Sequence, residues 1–388
     1  MRREKGTPRP GWEKTVADQG LVFGIPGRDA AGRNSRPYWD ESVHYVFEMD
    51  EVLSLEADVE VLHSMCLDAV DHVVTTERYA DFGLPEWCWE AVGASWKRHD
   101  PHVYGRFDLR YDGSGPAKML EYNADTPTSL LEASILQWNW LQDVHGDDDQ
   151  WNSLHEKLVE RWSGIKASLP SAEVHFTWSG ADSSGEDHIT VGYLQETAAE
   201  AGLDTIGLAI EDVGWDSALD RFVDLEEAPI AGAFKLYPWE WILGDEFGKH
   251  VSRSLPDTLW LEPLWKTLLS NKALLAVLWE MYPGHPNLLP AYLRDPGMLT
   301  EYVKKPLLGR EGANITVVSP GSEVATGGVY GEEGFVYQLF APLPEFDGFR
   351  PALGAWVVGD TAAGLGIRET AGLITDDGAA FVPHRIPE

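Results

Sequence analysis

The sequence predicts a mixed α/β (α+β) protein made of closely packed lobes, and three observations support this fold class. Apolar residues recur at helical spacing within residues 41–76. Two strands joined by a turn are indicated within residues 102–124, and a strand- and glycine-rich block runs from Tyr302 to the end of the chain. The 388 residues exceed what a single hydrophobic core usually holds, so more than one lobe is expected.

Further elements are predicted between these landmarks from apolar spacing and turn residues. A strand is predicted at Glu173–Trp178, and a helix at 189–201 ends at Gly202. Other helices are predicted at 128–142, directly after the acidic loop 146–149, and near 262–281. Helices and strands therefore alternate through most of the chain, which is typical of a mixed architecture.

Composition limits the classes of function. The formal net charge of −33 argues against an extended nucleic-acid interface, which needs clustered Lys and Arg, and is compatible with a cationic substrate. No segment approaches the roughly 20 apolar residues of a membrane span, and the basic start leads into no signal-like apolar region. We expect a cytoplasmic protein without a membrane or nucleic-acid partner. Cys66 and Cys88 form no Cys-x-x-Cys pair, which excludes a disulfide scaffold.

One polar motif lies on the predicted strand pair. Alternate residues of a strand share a face, so Arg106 and Asp108 point the same way, and so do Glu121 and Asn123. If the turn is the four-residue segment 112–115, Arg106 pairs with Glu121. That register places the four polar side chains on one face, whereas a five-residue loop would place the two sets on opposite faces.

These residue types suit phosphoryl chemistry. Two carboxylates and an amide oxygen are hard ligands, the set that Mg²⁺ uses beside phosphates and water. A neighbouring arginine can neutralise charge on a transferring phosphoryl group. The residues alone are equally compatible with a solvated polar face carrying an Arg106–Glu121 cross-strand pair. The following segment, Thr126–Ser129, suits a helix start, whose N-terminus either binds an anion or is simply capped.

A second pattern consists of lysines and a glycine-containing loop. Lys272 opens an apolar helix, and the pair Lys304–Lys305 ends a predicted strand before the loop 309–314. Ammonium groups and closely approaching backbone N–H groups suit nucleotide phosphates. The pattern is common, and it is not a P-loop because the Gly-Lys-Ser/Thr ending is missing. Side-chain alternation lets only one of Lys304 and Lys305 face such a site.

Two sequence motifs carry a family resemblance. Tyr104-Gly-Arg-Phe-Asp108 and Leu120-Glu-Tyr-Asn-Ala-Asp-Thr-Pro-Thr128 resemble the signature of the glutathionylspermidine synthase family, and the likeness runs from about Arg9 to His384. The resemblance implies an ATP-grasp-like fold with a preceding pre-ATP-grasp α/β lobe. It divides the synthetase into a mainly helical segment at 1–100, a metal and substrate lobe at 101–230, and a nucleotide-binding ATP-grasp lobe at 231–388.

The resemblance also implies roles for individual residues. Arg106 corresponds to the family's catalytic arginine. The implied Mg²⁺ ligands are Asp108, Glu121 and Asn123. The implied ATP-binding residues are Lys272, Lys305, Gly309, Gly312, Asn314, Gln338 and Leu339, with the loop at 309–314 acting as a lid. The implied substrate-binding residues are Thr126 and Thr128 at the glutathione moiety, Glu186 in an acidic pair, and Arg368 at a substrate carboxylate, although an ion pair with Glu369 would also explain Arg368.

The implied activity is that of an ATP-dependent, Mg²⁺-requiring carboxylate–amine ligase that forms an amide through an acyl phosphate. Its partners would be a glutathione-like peptide or amino acid and a polyamine-like amine. Glu186-Asp187 is an altered acidic pair, and Leu236 stands where a threonine is expected, so the acid substrate is left open. The alternatives are the same chemistry on another acid and amine, or nucleotide binding without turnover. The family's Cys–His amidase domain is not expected in this chain, and the oligomeric state is left open.

Overall fold

A computed structural model describes residues 1–23, 36–182, 184–255, 257–376 and 378–388. The helices are α1 (Trp12–Asp18), α2 (Met49–Thr76), α3 (Trp89–Lys97), α4 (Gln137–Val144), α5 (Leu154–Ile165), α6 (Glu186–Glu200), α7 (Trp239–Gly244), α8 (Gly248–Ser254), α9 (Thr267–Ser270) and α10 (Ala273–Met281). The first strands are β1 (Arg2–Lys5), β2 (Val43–Val46), β3 (Tyr104–Arg110), β4 (Lys118–Asn123), β5 (Glu173–Trp178), β6 (Asp204–Ala209), β7 (Gly214–Asp216), β8 (Arg221–Val223), β9 (Gly232–Leu236) and β10 (Leu259–Leu261). The remaining strands are β11 (Ala291–Leu293), β12 (Tyr302–Pro306), β13 (Thr316–Ser319), β14 (Ser322–Ala325), β15 (Phe335–Leu339), β16 (Arg350–Val358), β17 (Thr361–Thr370), β18 (Ala380–Val382) and β19 (His384–Arg385).

An antiparallel sheet with strand order β18-β17-β16-β3-β4 lies at the centre of the molecule. The hairpin β3–β4 joins it through pairing of β3 with β16, as in Asp108 opposite Gly354. Strands from residues 104–123 and 350–382 therefore share one sheet, although more than two hundred residues separate them along the chain. This pairing brings the first polar motif beside Arg368 on β17.

Two further sheets are formed by strands from the middle and the later part of the chain. The sheet β10-β9-β5-β6 is wholly parallel, and α5 and α6 pack near it. The sheet β11-β15-β12-β13-β14 is antiparallel and carries Lys305 on β12. The strands of the predicted strand- and glycine-rich block are thus divided among three sheets: β12–β15 lie in this antiparallel sheet, β16–β18 in the central sheet, and β19 in the sheet formed by the chain ends. Strands β7 and β8 form a separate hairpin-like pair.

The chain ends meet in a small sheet of order β1-β2-β19. Helical spacing predicted a helix throughout 41–76, but the helix begins at Met49 and residues Val43–Val46 form β2. All four residues of β2 are buried between β1 and β19, so sheet pairing overrides the local periodicity there. The helix start is fixed by a capping box in which Glu48 and Glu51 each bond the other's backbone N–H.

Two other predicted helices are interrupted for identifiable reasons. The helix predicted at 262–281 breaks at Asn271, whose extended backbone separates α9 from α10 and whose side chain accepts from the N–H of Ala273. The helix predicted at 128–142 includes a π-helical segment, Glu132–Leu136. There, the side-chain amide of Gln137 donates to the carbonyl oxygens of Ala133 and Leu365, which ties this helix to the central sheet.

The core is built from α2, the inner faces of the sheets, and buried aromatic rings. Helix α2 buries apolar side chains at helical spacing from Val52 to Val74, as the sequence predicts. The fully buried tryptophans are Trp39, Trp140, Trp162, Trp239 and Trp356. Cys66 and Cys88 are buried as free cysteines. Across the described residues, no helix is long and apolar enough to cross a membrane.

Candidate active site

The register of β3 and β4 brings the first polar motif together. Arg106 lies opposite Asn123 and Asp108 lies opposite Glu121. The predicted pairing of Arg106 with Glu121 is therefore wrong by two residues. The turn is one residue longer than predicted, because Arg110 pairs with Lys118, and that shift alone would have moved the two sets to opposite faces.

A β-bulge restores the common face. The register shifts between Asp108 and Leu109, so that Leu120 is an extra residue on β4. Met119 and Tyr122 are consequently buried on one face, while Glu121 is half-buried on the other. The bulge therefore sets both the direction of Glu121 and the position of the Leu120 carbonyl group.

A cavity with a volume of about 210 Å³ lies between the central sheet and the β12 sheet. Most residues implied for the site line its wall. These are Arg106, Asp108, Glu121, Asn123, Thr126, Thr128, Lys272, Lys305, Gly309, Gly312, Gln338, Leu339 and Arg368. The cavity wall does not include Asn314 or Glu186, whose positions are described below.

Two arginines approach Asp108 from different strands. Arg106 Nε donates to Asp108 Oδ1 at 2.9 Å, and an amino group of Arg368 donates to Asp108 Oδ2 at 2.7 Å. Glu369 faces the other way, toward Arg3 and Arg36, so an Arg368–Glu369 ion pair does not form. Both oxygens of Asp108 thus accept hydrogen bonds from guanidinium groups, which fix the position of the carboxylate in the cavity wall.

Arg106 is fixed as firmly as its partner. Its terminal amino group also donates to the carbonyl oxygen of Thr128 at 2.6 Å, and its side chain lies over the ring of Trp356. A Cβ atom at Gly354 would lie 3.0 Å from Arg106 Cδ, so this glycine leaves space for the side chain. Burial opposes the charge of Arg106, but Asp108 and Glu121 outweigh that cost and raise its pKa.

Glu121 lies between two lysines. Lys272 Nζ is 3.1 Å from Glu121 Oε2, and Asn123 Nδ2 donates to Glu121 Oε1 at 3.2 Å. Burial alone would raise the pKa of Glu121, yet the charges of Lys272 and Lys305 outweigh it and lower the pKa well below its usual range. The carboxylate is therefore ionised at neutral pH.

Lys305, and not Lys304, faces the cavity. Its ammonium group donates to the carbonyl oxygen of Leu120 at 2.9 Å and to Gln338 Oε1 at 2.8 Å. Lys304 instead lies over the ring of Phe335, 3.9 Å from its centre. Burial lowers the pKa of Lys305 to about 8, against the attraction of Glu121. Gln338 thus orients Lys305 and also donates to the Met119 carbonyl at 3.0 Å.

The loop 309–314 closes over one side of the cavity. Lys272 Nζ donates to the carbonyl oxygen of Gly309 at 2.6 Å. Gly312 has φ +70°, and a Cβ atom there would lie 2.9 Å from Ile374 Cγ2, so both backbone conformation and close packing require glycine. Asn314 lies behind the wall, where its side-chain oxygen accepts from the N–H of Tyr330 at 3.2 Å.

The cavity wall combines charged and apolar side chains. Besides the arginines, lysines and carboxylates, it includes the apolar residues Val303, Ile315, Val317, Leu343 and Ile374. A ligand with an apolar part and a strongly anionic part, such as a nucleotide, matches this composition.

An acidic cluster lies beyond Thr128. Glu186, at the start of α6, lies close to Thr128, and burial raises its pKa. Burial, followed by the charges of Asp182 and Glu186, raises the pKa of Asp187 to about 7. Burial and Glu186 likewise raise the pKa of Glu132 to about 7. Crowded carboxylates of this kind favour a cationic ligand, which relieves their mutual repulsion.

The sequence interpretation missed three charged residues that shape the site. Lys235 and Asp125 form a fully buried ion pair at 2.5 Å, and Asp125 also accepts from the N–H of Trp239. Arg310, on the loop 309–314, donates to Thr126 Oγ1 at 3.0 Å and to Glu240 at 2.8 Å. Asp125 and Lys235 both lie within motifs that the resemblance covers, but their pairing across 110 residues is visible only in the fold.

The donor set fits a hard divalent cation. Asp108, Glu121 and Asn123 present carboxylate and amide oxygens from two adjacent cross-strand rows, on one cavity wall. Oxygen ligands supplied by one or two carboxylates beside phosphate oxygens are what Mg²⁺ prefers. The neighbouring lysines and arginines favour the binding of a negatively charged ligand in this cavity.

The fold is of a known class. A solved structure of a glutathione synthetase-like effector from Globodera pallida matches with a TM-score of 0.55 at 10% identity, covering 97% of this chain and 96% of that chain. The architecture is accordingly a mixed α/β fold of the glutathione synthetase-like ATP-grasp kind. The chain belongs to the family described as glutathionylspermidine synthase preATP-grasp, whose model matches residues 3–387.

Three proteins of similar sequence are consistent with this family membership. A Haemophilus influenzae protein provisionally named as an acid–amine ligase is 41% identical over 99% of both chains. The trypanothione synthetase of Crithidia fasciculata is 29% identical over 91% of this chain and 58% of its own length. The bifunctional glutathionylspermidine synthetase/amidase of Escherichia coli is 29% identical over 81% of this chain and 54% of its own. The chain thus spans little more than half the length of the two longer relatives.

Proposed function

We propose that this protein is an ATP-dependent carboxylate–amine ligase that joins an acid to an amine through an acyl phosphate. One observation carries the proposal. Oxygen ligands on β3 and β4 share a single cavity wall with four cationic side chains, Arg106, Lys272, Lys305 and Arg368. Phosphoryl transfer depends on positioning and on stabilising charge over several oxygens, which is what this arrangement supplies. The names of the relatives, which include an acid–amine ligase and two synthetases, support the same reaction class.

The reaction proceeds in two balanced steps. A carboxylate oxygen of the acid attacks the γ-phosphorus of ATP, the bond to the β-phosphate bridging oxygen breaks, and ADP leaves. The nitrogen lone pair of the amine then attacks the acyl carbon, and inorganic phosphate leaves with its bonding electrons. The amine arrives as an ammonium ion, so one proton must be removed before the second step.

The four cationic side chains and the glycine-containing loop would each have a role in these steps. Lys272 and Lys305 would hold phosphate oxygens, since both residues line the cavity wall. Arg106 is positioned by Asp108 and Thr128 to neutralise the transferring phosphoryl group. Arg368 adds a second guanidinium beside the same carboxylate, suited to the substrate acid. The loop with Gly309 and Gly312 would cover the phosphates and exclude water.

Magnesium would be held by Asp108, Glu121 and Asn123 together with phosphate oxygens. When bound, it would neutralise the β- and γ-phosphate charge and so favour departure of ADP. The protein's own contribution is to fix these oxygens through the hairpin register and the flanking cations.

The acid would be a glutathione-like peptide or amino acid, and the amine would be polyamine-like. The acidic cluster beyond Thr128, formed by Glu186, Asp187, Asp182 and Glu132, supports a substrate that brings an ammonium group there. Leu236 is buried on β9 and offers no hydroxyl group for a peptide substrate. This difference supports testing acids other than glutathione alongside it.

The proposal is tested by following ADP release from Mg-ATP with glutathione and spermidine, each omitted in turn, and by the mass of the product. We expect ADP release that requires both an acid and an amine, with a product lighter by one water than their sum. ADP release without either substrate, or no turnover with a broad panel of peptides and polyamines, would contradict it. A chain that binds ATP tightly without turnover would favour the nucleotide-binding alternative.

A further inference from the structure

Two histidines and one aspartate converge on the side of the β3–β4 hairpin away from the cavity. They come from distant parts of the chain: His63 from α2, His102 from the segment before β3, and Asp360 from the turn between β16 and β17. Tyr122, on β4 between the two cavity-facing residues Glu121 and Asn123, points to this side and contacts His63. The cluster is therefore separate from the proposed magnesium ligands.

The distances in the cluster match a metal coordination shell. His63 Nε2 and His102 Nε2 each lie 3.2 Å from the same oxygen, Asp360 Oδ1. Ligand atoms of a tetrahedral ion with bonds of about 2.0–2.1 Å stand roughly 3.3–3.4 Å apart. Within the described part of the chain, this is the one group of three such side chains whose ligand atoms all lie within 4.8 Å of one another.

We propose that His63, His102 and Asp360 bind one divalent transition metal ion, with Zn²⁺ as the best-matching ion and solvent completing the coordination. Two imidazoles and a carboxylate suit borderline-soft ions, whereas Mg²⁺ prefers oxygen ligands throughout. The ion would link α2 to the segment before β3 and to the turn between β16 and β17. Its role would be to stabilise the packing of α2 behind β4.

Both imidazole rings are buried, which disfavours their protonated form. Burial lowers the pKa of His102 to about 3 and also lowers the pKa of His63, in both cases against the attraction of Asp360. Neutral imidazole is the form that ligates a metal ion.

Neighbouring groups hold both rings in place. His63 Nδ1 lies 3.0 Å from the Tyr122 hydroxyl group, which fills the role of an outer partner for a ligating histidine. The ring of His102 packs edge-on against Trp265, with ring centres 5.4 Å apart. The carbonyl oxygen of His102 accepts from Arg161 Nε at 2.7 Å, which fixes the backbone at the ligand.

The local charges and access are also compatible with an ion. Lys266 is close to the cluster, but it is paired with Glu262 at 2.7 Å, and both side chains are fully buried. Arg161 remains as a nearby cation and Asp360 as the balancing carboxylate. The side chain of Asp360 is 65% exposed, while His63 and His102 are buried, so an ion can enter from solvent on the aspartate side.

The test measures zinc binding to the full chain after treatment with a chelator. Excess Mg²⁺ is kept present so that the oxygen ligands in the cavity do not compete for Zn²⁺. Calorimetric titration should show one Zn²⁺ per chain, and Co²⁺ added in its place should give the intense visible absorption of a four-coordinate site. We expect Asp360→Asn to weaken Zn²⁺ binding by about tenfold or more and to remove the Co²⁺ bands.

Two control variants make the result specific. Asp347→Asn changes a turn aspartate with the same 65% side-chain exposure and should bind Zn²⁺ as the unmodified chain does. Glu121→Gln should also retain the zinc site. Equal Zn²⁺ affinity in Asp360→Asn and the unmodified chain, absence of stoichiometric Zn²⁺ binding, or loss of the zinc site in Glu121→Gln alone would each overturn the proposal. Because Asp360 is exposed, its variant should fold normally, which near-ultraviolet circular dichroism verifies.

Discussion

Asp108 and Glu121 face each other across two strands, and each is held by two cations. Arg106 and Arg368 hold the first, while Lys272 and Lys305 surround the second. Four positive charges around two carboxylates leave a net positive charge on this part of the cavity wall. This charge favours binding of an anionic nucleotide and of a substrate carboxylate. The carboxylates in turn keep the cations in position when no ligand neutralises them.

Replacing Glu121 by Gln should lower kcat for ATP turnover by on the order of 10²-fold, because it removes a proposed magnesium ligand and the charge that positions Lys272. The rate of ADP release as a function of magnesium concentration measures this. Glu323→Gln, on the exposed strand β14, is the matched control and should leave the rate unchanged. An unaltered rate and magnesium dependence in Glu121→Gln would show that the carboxylate takes no part.

A pH effect is expected at the acidic cluster. The pKa of Asp187 is raised to about 7 by burial and by Asp182 and Glu186, so this carboxyl group is neutral below that pH and charged above it. The KM for the ammonium-bearing substrate should therefore fall as the pH rises through 7. In Asp187→Asn the KM should be higher and should lose this pH step, which steady-state kinetics over the pH range would reveal.

The exposed Asp204→Asn on β6 is the matched control for that experiment and should keep the pH step. A step of the same size in Asp187→Asn would assign the titration to another group.

For individual residues, the sequence indicates which side chains belong to the site better than it indicates which of them contact each other. Arg106 and Asp108 could be placed on one face from strand alternation alone. The choice between Lys304 and Lys305 required the fold, because alternation says that one faces the cavity without saying which. The buried pair Asp125–Lys235 joins residues 110 positions apart, and no local pattern reports such a contact.

Among the elements, the lid loop between β12 and β13 should respond most sharply to a small change. Gly312→Ala should raise the KM for ATP about tenfold or more, since φ +70° is costly for alanine and the added Cβ would lie 2.9 Å from Ile374. Kinetics at varied ATP concentration provide the measurement.

Gly321→Ala is a close control for that variant. Gly321 has φ +73° in the β13–β14 turn, but a Cβ atom there would meet nothing within 4 Å. This control should cost about 1 kcal/mol of stability and leave the KM for ATP unchanged. Equal kinetic effects in both variants would show that backbone strain, and not the packing of the loop on Ile374, is responsible.

The β4 bulge shows why the two strands were easier to predict than the register between them. Both strands were indicated by composition, and their bounds fall within the predicted segment 102–124. The common face of the polar residues is correct, but it depends on a longer turn and an extra residue at Leu120, two changes that cancel. Sequence patterns do not show this bulge, because it lies in the pairing of β3 with β4, and the Leu120 carbonyl oxygen accepts from Lys305, which is 185 residues further along the chain.

Over the whole molecule, the N-terminal strand supports the central sheet. Arg3 on β1 donates to the fully buried Glu369 on β17 at 2.9 and 3.0 Å, next in sequence to Arg368. Arg36 and Tyr45 also bond this carboxylate. A buried carboxylate is costly unless it is paired, so the chain's first residues help to hold the strand that carries a cavity arginine.

Arg3→Met should therefore reduce the free energy of unfolding by about 2–3 kcal/mol, since it leaves Glu369 with fewer partners. Arg2→Met is the matched control. Arg2 is 53% exposed and pairs with exposed Glu4 and Glu48, so its loss should change stability by less than about 0.5 kcal/mol. Denaturant unfolding measures both, and equal effects would contradict a special role for the buried pair.

The fold class predicted from the sequence is confirmed, and so is the family resemblance. What local patterns could not supply is the way the sheets combine. The central sheet unites segments 104–123 and 350–382, and the ends of the chain meet beside it. The division into segments at 1–100, 101–230 and 231–388 stays a prediction, as do the roles of the site residues.

The most direct test of the proposed chemistry follows an oxygen atom. With ¹⁸O in the carboxylate of the acid substrate, an acyl phosphate requires that one labelled oxygen leave with the phosphate in every turnover. We expect mass spectrometry to find one ¹⁸O per phosphate released in the presence of Mg-ATP and the amine. Unlabelled phosphate, with both labelled oxygens still on the acid, would show that ATP is hydrolysed without activating the carboxylate and would contradict the assignment as a carboxylate–amine ligase.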